Sequence, residues 1–368
     1  MLKEKHFWLL SSVLLGITIT VILFFLLVFP VSAPTNDSPI LDKKLEPAQF
    51  DVNETIKLEK KESTSIKFLF LGDLMLDRNV GKIIDEKGLD YLFTGLGKDF
   101  FEGFNIVHTN LEGAITENGE HFAPYNKYDF AFSNELIHEL IHSYYFNFFT
   151  LSNNHILDQG EIGVSSTRKY LSDFNVGFYG CPDKEAGECS TTSTVINGKR
   201  IGFAGFSMVY GLVPAEELLA QVAQTASSTD FLIVNIHWGV EYEHGFNSTQ
   251  ADLGRKMIEA GADLIVGHHP HVVQGMEIYQ SKPIFYSLGN FIFDQYFSVA
   301  TQEGLALNVN LTEEELVVDL LPFSSTQSQP SLMPEDDKQN FLEKFVGWSK
   351  LDEPFQNQAK SGTITLDL

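Results

Sequence analysis

Apolar positions along the chain fall into three regimes. From Phe7 to Phe29 they run without a single charged residue, and from about residue 34 to 63 no sustained period survives. From about Ser65 onward, short apolar runs alternate with amphipathic segments. In this third regime IKFLFLGD (Ile66–Asp73) predicts a strand, as do Asn105–Glu112, Phe146–His155, Lys199–Phe206, Phe231–His237, Asp263–Gly267 and Pro283–Asn290. Asn134–His142 and Asp252–Ala260 predict helices; in the second, Leu253, Met257 and Ala260 share one face. Leu305–Asn310 and Glu315–Leu321 predict a hairpin, residues 324–334 a polar break, Glu335–Lys350 a terminal helix and Thr363–Leu368 a last strand. Strands alternating with helices predict an α/β fold. No internal repeat or low-complexity tract interrupts the pattern.

The first regime predicts a membrane span. At about 1.5 Å per residue a run of about 23 residues covers roughly 35 Å, enough for a bilayer. Lys3 and Lys5 precede it, which predicts a cytoplasmic amino terminus and an extracytoplasmic remainder. A cleaved signal peptide is the rival, with Val31–Ala33 as the small-residue site. The length of the run, and Pro34 directly after the cut, favour an uncleaved single-pass anchor. The expected organisation is a cytoplasmic terminus (1–6), a transmembrane signal-anchor helix (7–31), a flexible stalk (32–63), a folded domain (64–325) and a C-terminal helix and tail (326–368).

Charge narrows the function classes. Lys and Arg number 25 against 49 Asp and Glu, a formal net charge of −24. Such a surface repels nucleic acid and anionic lipid, so no nucleic-acid partner is expected; it tolerates divalent cations. The two cysteines, Cys181 and Cys189, are too few and too isolated for a zinc site. Outside the cytoplasm a local disulfide is open to them; two unpaired thiols are the alternative.

The informative feature is positional. Short polar clusters sit just past the carboxyl ends of predicted strands, the edge at which α/β sheets build sites. Gly267-His268-His269-Pro270-His271 is the sharpest. Imidazole is a ligand for zinc, manganese and iron, and on an extended segment His269 and His271 would point to one side. A surface turn of hydrogen-bonding histidines is the bland reading, but three of the chain's 11 histidines within four residues argue for metal. Asp73 and Glu112 offer hard oxygen ligands, or else a helix cap and a first-turn carboxylate, with Asn110 placed to hold Glu112 by a hydrogen bond. Asn154 can ligate through its carbonyl oxygen and His155 can serve as an acid, against a plain turn pair. His237 is a further ligand or a satisfied core histidine. Arg78 can grip a substrate anion, or else bond Asp77 or a helix end. Glu241 and Asp294 are weaker candidates.

Taken in order, LGDLMLDR (71–78), TNLEG (109–113), LSNNHILDQG (151–160), HWGVEY (237–242), GADLIVGHHPHVVQ (261–274) and YSLGNFIFDQ (286–295) resemble the poly-gamma-glutamate capsule biosynthesis (CapA-like) family. That family is similar to the calcineurin-like metallophosphoesterases. The resemblance covers roughly residues 66–325. It implies a four-layer α/β/β/α metallophosphoesterase-like sandwich with a two-metal site at one edge. By the same resemblance Asp73, Glu112, Asn154, His237, His269 and His271 hold one or two divalent ions (manganese, iron or zinc), His268 is an alternative in register, and His155 is the acid; Arg78 is expected, from its own chemistry, to orient an anionic substrate. Two departures matter: Met75 stands where metallophosphoesterases carry a histidine, a thioether being a poor ligand for hard ions, and Asn110-Leu111-Glu112 stands where they carry Gly-Asp-x-x-Asp.

The expected activity is metal-dependent hydrolysis on an anionic or cell-envelope polymer, carried out at the membrane on its extracytoplasmic side. Two rivals are a non-catalytic partner of a capsule synthesis or export complex, and an ordinary phosphodiesterase or phosphatase.

Overall fold

A computed structural model of the chain describes residues 65–125, 127–182, 185–209 and 213–368. The expected anchor (7–31) and stalk (32–63) lie outside these residues. Among the described residues no helix is long and apolar enough to cross a membrane.

In chain order the strands are β1 (Ile66–Leu74), β2 (Ile106–Leu111), β3 (Ala114–Thr116), β4 (Ala131–Ser133), β5 (Phe148–Thr150) and β6 (Gly177–Tyr179). There follow β7 (Thr191–Ile196), β8 (Lys199–Ser207), β9 (Phe231–His237), β10 (Leu264–His268), β11 (Val273–Tyr279) and β12 (Lys282–Leu288). The last are β13 (Asn290–Ile292), β14 (Glu303–Leu311), β15 (Glu315–Thr326), β16 (Gln329–Leu332) and β17 (Thr363–Asp367). One sheet runs β16-β15-β14-β1-β2-β5-β6, with β13 beside β1 and β17 beside β15; the second runs β11-β12-β10-β9-β8-β7.

The period-two pattern of β1 explains how these sheets stack. Phe68 and Phe70 join Phe148, Phe203, Ile233, Val266 and Leu307 in a cluster drawn from both sheets. Leu69 and Leu71 point the other way, to Val80, Ile137, Leu140 and Leu171 on the helices Arg78–Lys87, Asn134–Tyr144 and Gly160–Asp173. On the second sheet Leu232, Val234 and Ile265 meet Leu218, Val222 and Met257 of the helices Ala215–Ala226 and Ser248–Glu259. The result is a mixed α/β sandwich: two sheets face to face, each with helices on its outer side. Strands β1, β2, β9 and β10 are covered on both faces and are buried along nearly their whole length.

Residues 326–368 belong to this interior. Phe341, Leu342 and Phe345 of the helix Glu335–Trp348, with Ile364 and Leu366 of β17, enter the inter-sheet cluster. The expected polar break at 324–334 is corrected: β15 continues to Thr326 and turns directly into β16, with Gln327 and Ser328 at φ of 49° and 63°. Two positive φ values in a two-residue loop are what a tight hairpin needs. A further short helix, Glu353–Ser361, opens on Asp352 as its cap with Pro354 in the first turn.

Register carries the fold to its chemistry. In the first sheet Asp73 lies opposite Asn290 on one side and Asn110 on the other. In the second, His237 lies between Ser207 and His268. Both rows sit at the carboxyl ends of parallel strands. The main chains close in tightly here: the Asp73 amide donates to the Gly289 carbonyl at 3.0 Å, and a side chain at Gly72 would collide with that same carbonyl oxygen. Glycine at position 72 is thus required by close backbone approach.

Candidate metal centre

Asp73 is wholly buried at the end of β1. Its Oδ1 accepts from the Asn110 amide at 2.8 Å, and its Oδ2 accepts from the His269 backbone N–H at 3.3 Å. His268 Nδ1 lies 3.2 Å from Oδ1 but out of line for a hydrogen bond, and His271 Nδ1 lies 3.6 Å from Oδ2. Glu112, just past β2, is also wholly buried. The same Asn110 amide reaches Glu112 Oε2 at 3.3 Å and His237 Nδ1 at 3.4 Å. One NH2 group carries two protons and here faces three acceptors, so the cluster is short of hydrogen-bond donors.

The deficit is sharpest at Glu112 Oε1, which has no hydrogen-bond partner. Two imidazoles present their Nε2 atoms to it: His155 at 3.7 Å and His271 at 3.9 Å. Each ring is tied at its other nitrogen, His155 Nδ1 to Asp158 at 2.7 Å and His271 Nδ1 to Asn290 at 2.9 Å. Partners that fix one ring nitrogen and leave the other aimed inward are how proteins orient metal-ligating histidines. On the opposite side His237 Nε2 meets Asn154 Oδ1 at 2.7 Å, and the His237 and His269 rings are 4.9 Å apart.

Electrostatics points the same way. Burial raises the Asp73 carboxyl, but His268, His271 and Asn110 outweigh it and hold it below its ordinary value. Burial, then Asp73, Asp158 and Glu241, push Glu112 well above the carboxylate range. Burial and the neighbouring histidines keep His237 well below the usual imidazole value, and burial with His271 brings His269 down to about 3. His271 is lowered chiefly by burial, against the pull of Asp73. Neutral imidazoles beside crowded carboxylates are the state a cation requires. Donor atoms of Asp73, Glu112 and His271 all fall within 4.8 Å of one another, as do those of Glu241, His269 and His271. The mixed nitrogen and oxygen set suits a borderline divalent ion.

The six residues expected as ligands thus come together where the carboxyl ends of the two sheets meet, though the backbone reaching that point differs from the expectation. His269 and His271 lie in a bent loop at φ of 97° and 57°, so a turn and not strand alternation presents their rings. The strand expected at Phe146–His155 ends at Thr150, and Asn153–His155 form a turn. There Asn153 donates to Asn110 Oδ1 and the Leu111 carbonyl, and accepts from the His155 N–H. Met75 is buried away from the donors, its Sδ accepting from the Asp77 N–H at 3.1 Å. Arg78 pairs through two guanidinium nitrogens with Asp294, and both Arg78 and His155 lie on the Phe130 ring.

Beneath the centre runs a buried chain that sequence reasoning missed. Tyr179 Oη meets His108 Nε2 at 2.8 Å and donates to Asn235 Oδ1. Asn235 in turn meets His268 Nε2 at 3.3 Å, and His268 abuts Asp73. Single polar residues inside apolar strands are the only trace of it in the sequence. A cleft of about 730 Å³ lies elsewhere, bordered by Ser324, Asp337 and Phe341, and none of the candidate ligands lines it.

The family model described as "Bacterial capsule synthesis protein PGA_cap" matches residues 67–295, a span that contains every residue of this centre. The chain belongs to that family. It is 28% identical over 333 residues to the "PGA biosynthesis protein CapA" of Bacillus subtilis (strain 168), covering 86% of each chain. To the "Capsule biosynthesis protein CapA" of Bacillus anthracis it is 27% identical over 292 residues, covering 74% of this chain and 71% of that one. A "Probable polyglutamine synthesis accessory protein" of Mycobacterium tuberculosis (strain ATCC 25618 / H37Rv) is 26% identical over 185 residues, 44% of this chain and 48% of that one.

Proposed function

We propose that the chain is a membrane-anchored, extracytoplasmic metal-dependent hydrolase-like protein acting in the biosynthesis of a poly-gamma-glutamate capsule or a related envelope polymer. The metallophosphoesterase-like form of the sandwich is part of this reading. The observation that carries it is the partnerless, buried Glu112 Oε1 faced by the Nε2 atoms of His155 and His271, whose rings are fixed from behind. The relatives' names supply the pathway.

Asp73, Glu112, Asn154, His237, His269 and His271 would hold one or two ions, with manganese, iron or zinc suited to the donors. When bound, such an ion supplies Lewis-acid polarisation of the scissile group and activation of water. The chain's own contribution is orientation and proton handling. Asp158 fixes His155 at Nδ1, so the proton it takes or gives is carried at Nε2. Phe130 beneath both His155 and Arg78 restricts their rotation.

Elemental analysis of the purified chain tests the centre. Bound metal that is lost on His269→Ala/His271→Ala is expected; none, after manganese, zinc and iron(II) are each offered, removes the proposal. His155→Ala then separates catalysis from scaffolding: capsule output falls while folding and metal persist. The scaffold alternative is favoured by one observation, the capture of Arg78 by Asp294, which occupies the cation best placed for an anionic substrate. Undiminished capsule output in the His155 variant would support it, and release of phosphate from simple esters would instead indicate a phosphoesterase.

A further inference from the structure

We propose that Glu241 is itself a metal ligand, acting with His269 and His271; this rests on the metal-centre reading above. Carboxylate and imidazole donor atoms of these three residues lie within 4.8 Å of one another. His269 is 4% exposed and its Nδ1 has no hydrogen-bond partner, so a buried imidazole of this cluster is left with an unsatisfied nitrogen.

The placement of Glu241 is built into the backbone. Two loops, 237–242 and 267–271, are bonded to each other at both ends. The Trp238 N–H donates to the His268 carbonyl at 3.1 Å, and the Tyr242 N–H donates to the Pro270 carbonyl at 2.8 Å. Gly239 at φ of 91° and Tyr242 at φ of 68° form the turn between these bonds. Glu241 therefore stands over His269 and His271 from the solvent side. Two imidazoles and one carboxylate make a facial donor set common in zinc and non-haem iron sites, and the oxygen ligand also suits manganese.

The test measures metal binding, not turnover. Full-length chain is stripped and titrated with manganese, zinc and iron(II) against a chelator of known affinity. Glu241→Gln, Glu241→Asp and the neighbouring Glu243→Gln are compared with wild type, and melting temperature is followed as a check on folding. Loss of a ligand should weaken binding by about 10-fold or more, since even supporting residues cost 10–100-fold. Glu241→Asp should recover part of that loss, and Glu243→Gln should bind as wild type. Wild-type affinity in Glu241→Gln, or an equal loss in Glu243→Gln, overturns the assignment while leaving the centre standing. No metal in the wild-type chain overturns both.

Discussion

Asp294 holds Arg78 from 216 positions away, with Arg78 Nε at 3.0 Å from Oδ2 and Nη2 bonded to Oδ1. The carboxylate is fully buried and the guanidinium 29% exposed. The pair ties the start of the first outer helix to the loop after β13. Arg78→Ala strands a buried carboxylate. Discounted for the exposed half of the pair, a loss of about 1–3 kcal/mol is expected by urea denaturation. Arg78→Lys keeps the charge but not the two-point fork and should recover only part of it.

The metal-free chain should lose stability in acid. His269 has its ordinary value of 6.5 when unfolded but about 3 when folded, so between those values the unfolded chain takes up a proton that the folded chain refuses. Stability therefore falls as pH drops from about 6.5 towards 3, by a few kcal/mol from this group. His237 and His271 are shifted in the same direction. Glu112 works oppositely: its raised value makes the folded chain the tighter proton binder, so this residue favours the fold at low pH and opposes it as pH rises. Melting temperature followed from pH 8 to 4 should decline, and His269→Gln should flatten the decline.

Tyr179→Phe removes one oxygen and leaves two buried groups without their partner, His108 Nε2 and Asn235 Oδ1. A cost of about 1–3 kcal/mol is expected, larger than for a surface tyrosine. Thermal denaturation of Tyr179→Phe beside an exposed control, Tyr125→Phe, measures the difference.

Cys181 and Cys189 are joined in a disulfide, one of the two states left open by the sequence. It closes a short loop of separation 8, and the Gly180 N–H donates to the Cys189 carbonyl within it. Short closure removes little chain entropy, so Cys181→Ser/Cys189→Ser should cost only about 2–3 kcal/mol and leave a folded protein. Equal melting temperatures with and without reductant would contradict this.

What the sequence disclosed depended on how local each signal was. His269, His271, Asn154, His237, Asp73 and Glu112 stood out because several polar residues cluster at the end of an apolar strand. Asp158 and Asn290, which orient His155 and His271, lie inside the quoted motifs, but nothing in the spacing of this carboxylate and this carboxamide marked them as partners of those rings. The His108–Tyr179–Asn235–His268 chain spans four strands of two sheets and exists only once those sheets have stacked. Among the elements, β11 escaped notice because Val273–Tyr279 continues the histidine loop without a break, although Gln280 and Ser281 at positive φ close a tight hairpin after it. Strand β7 was also missed, although Asn197-Gly198, a strong hairpin pair, joins it to β8. The helix Glu353–Ser361 was not expected; Pro354 sits in its first turn, which tolerates proline because its N–H would have no helical acceptor there.

The stretch matched by the family model is shorter than the stretch that folds. The matched residues, 67–295, contain every donor of the centre but stop before β14, which pairs with five residues of β1. A fragment ending there would keep all its ligands while baring one edge of the strand that carries Asp73. It would also lose Phe341, Phe345 and Leu366 from the gap between the sheets. Bared edges and open apolar faces invite self-association. The segment marked by the family model is therefore narrower than the cooperative unit, and a chain halted at its end should not fold stably until the last helices and strand are present.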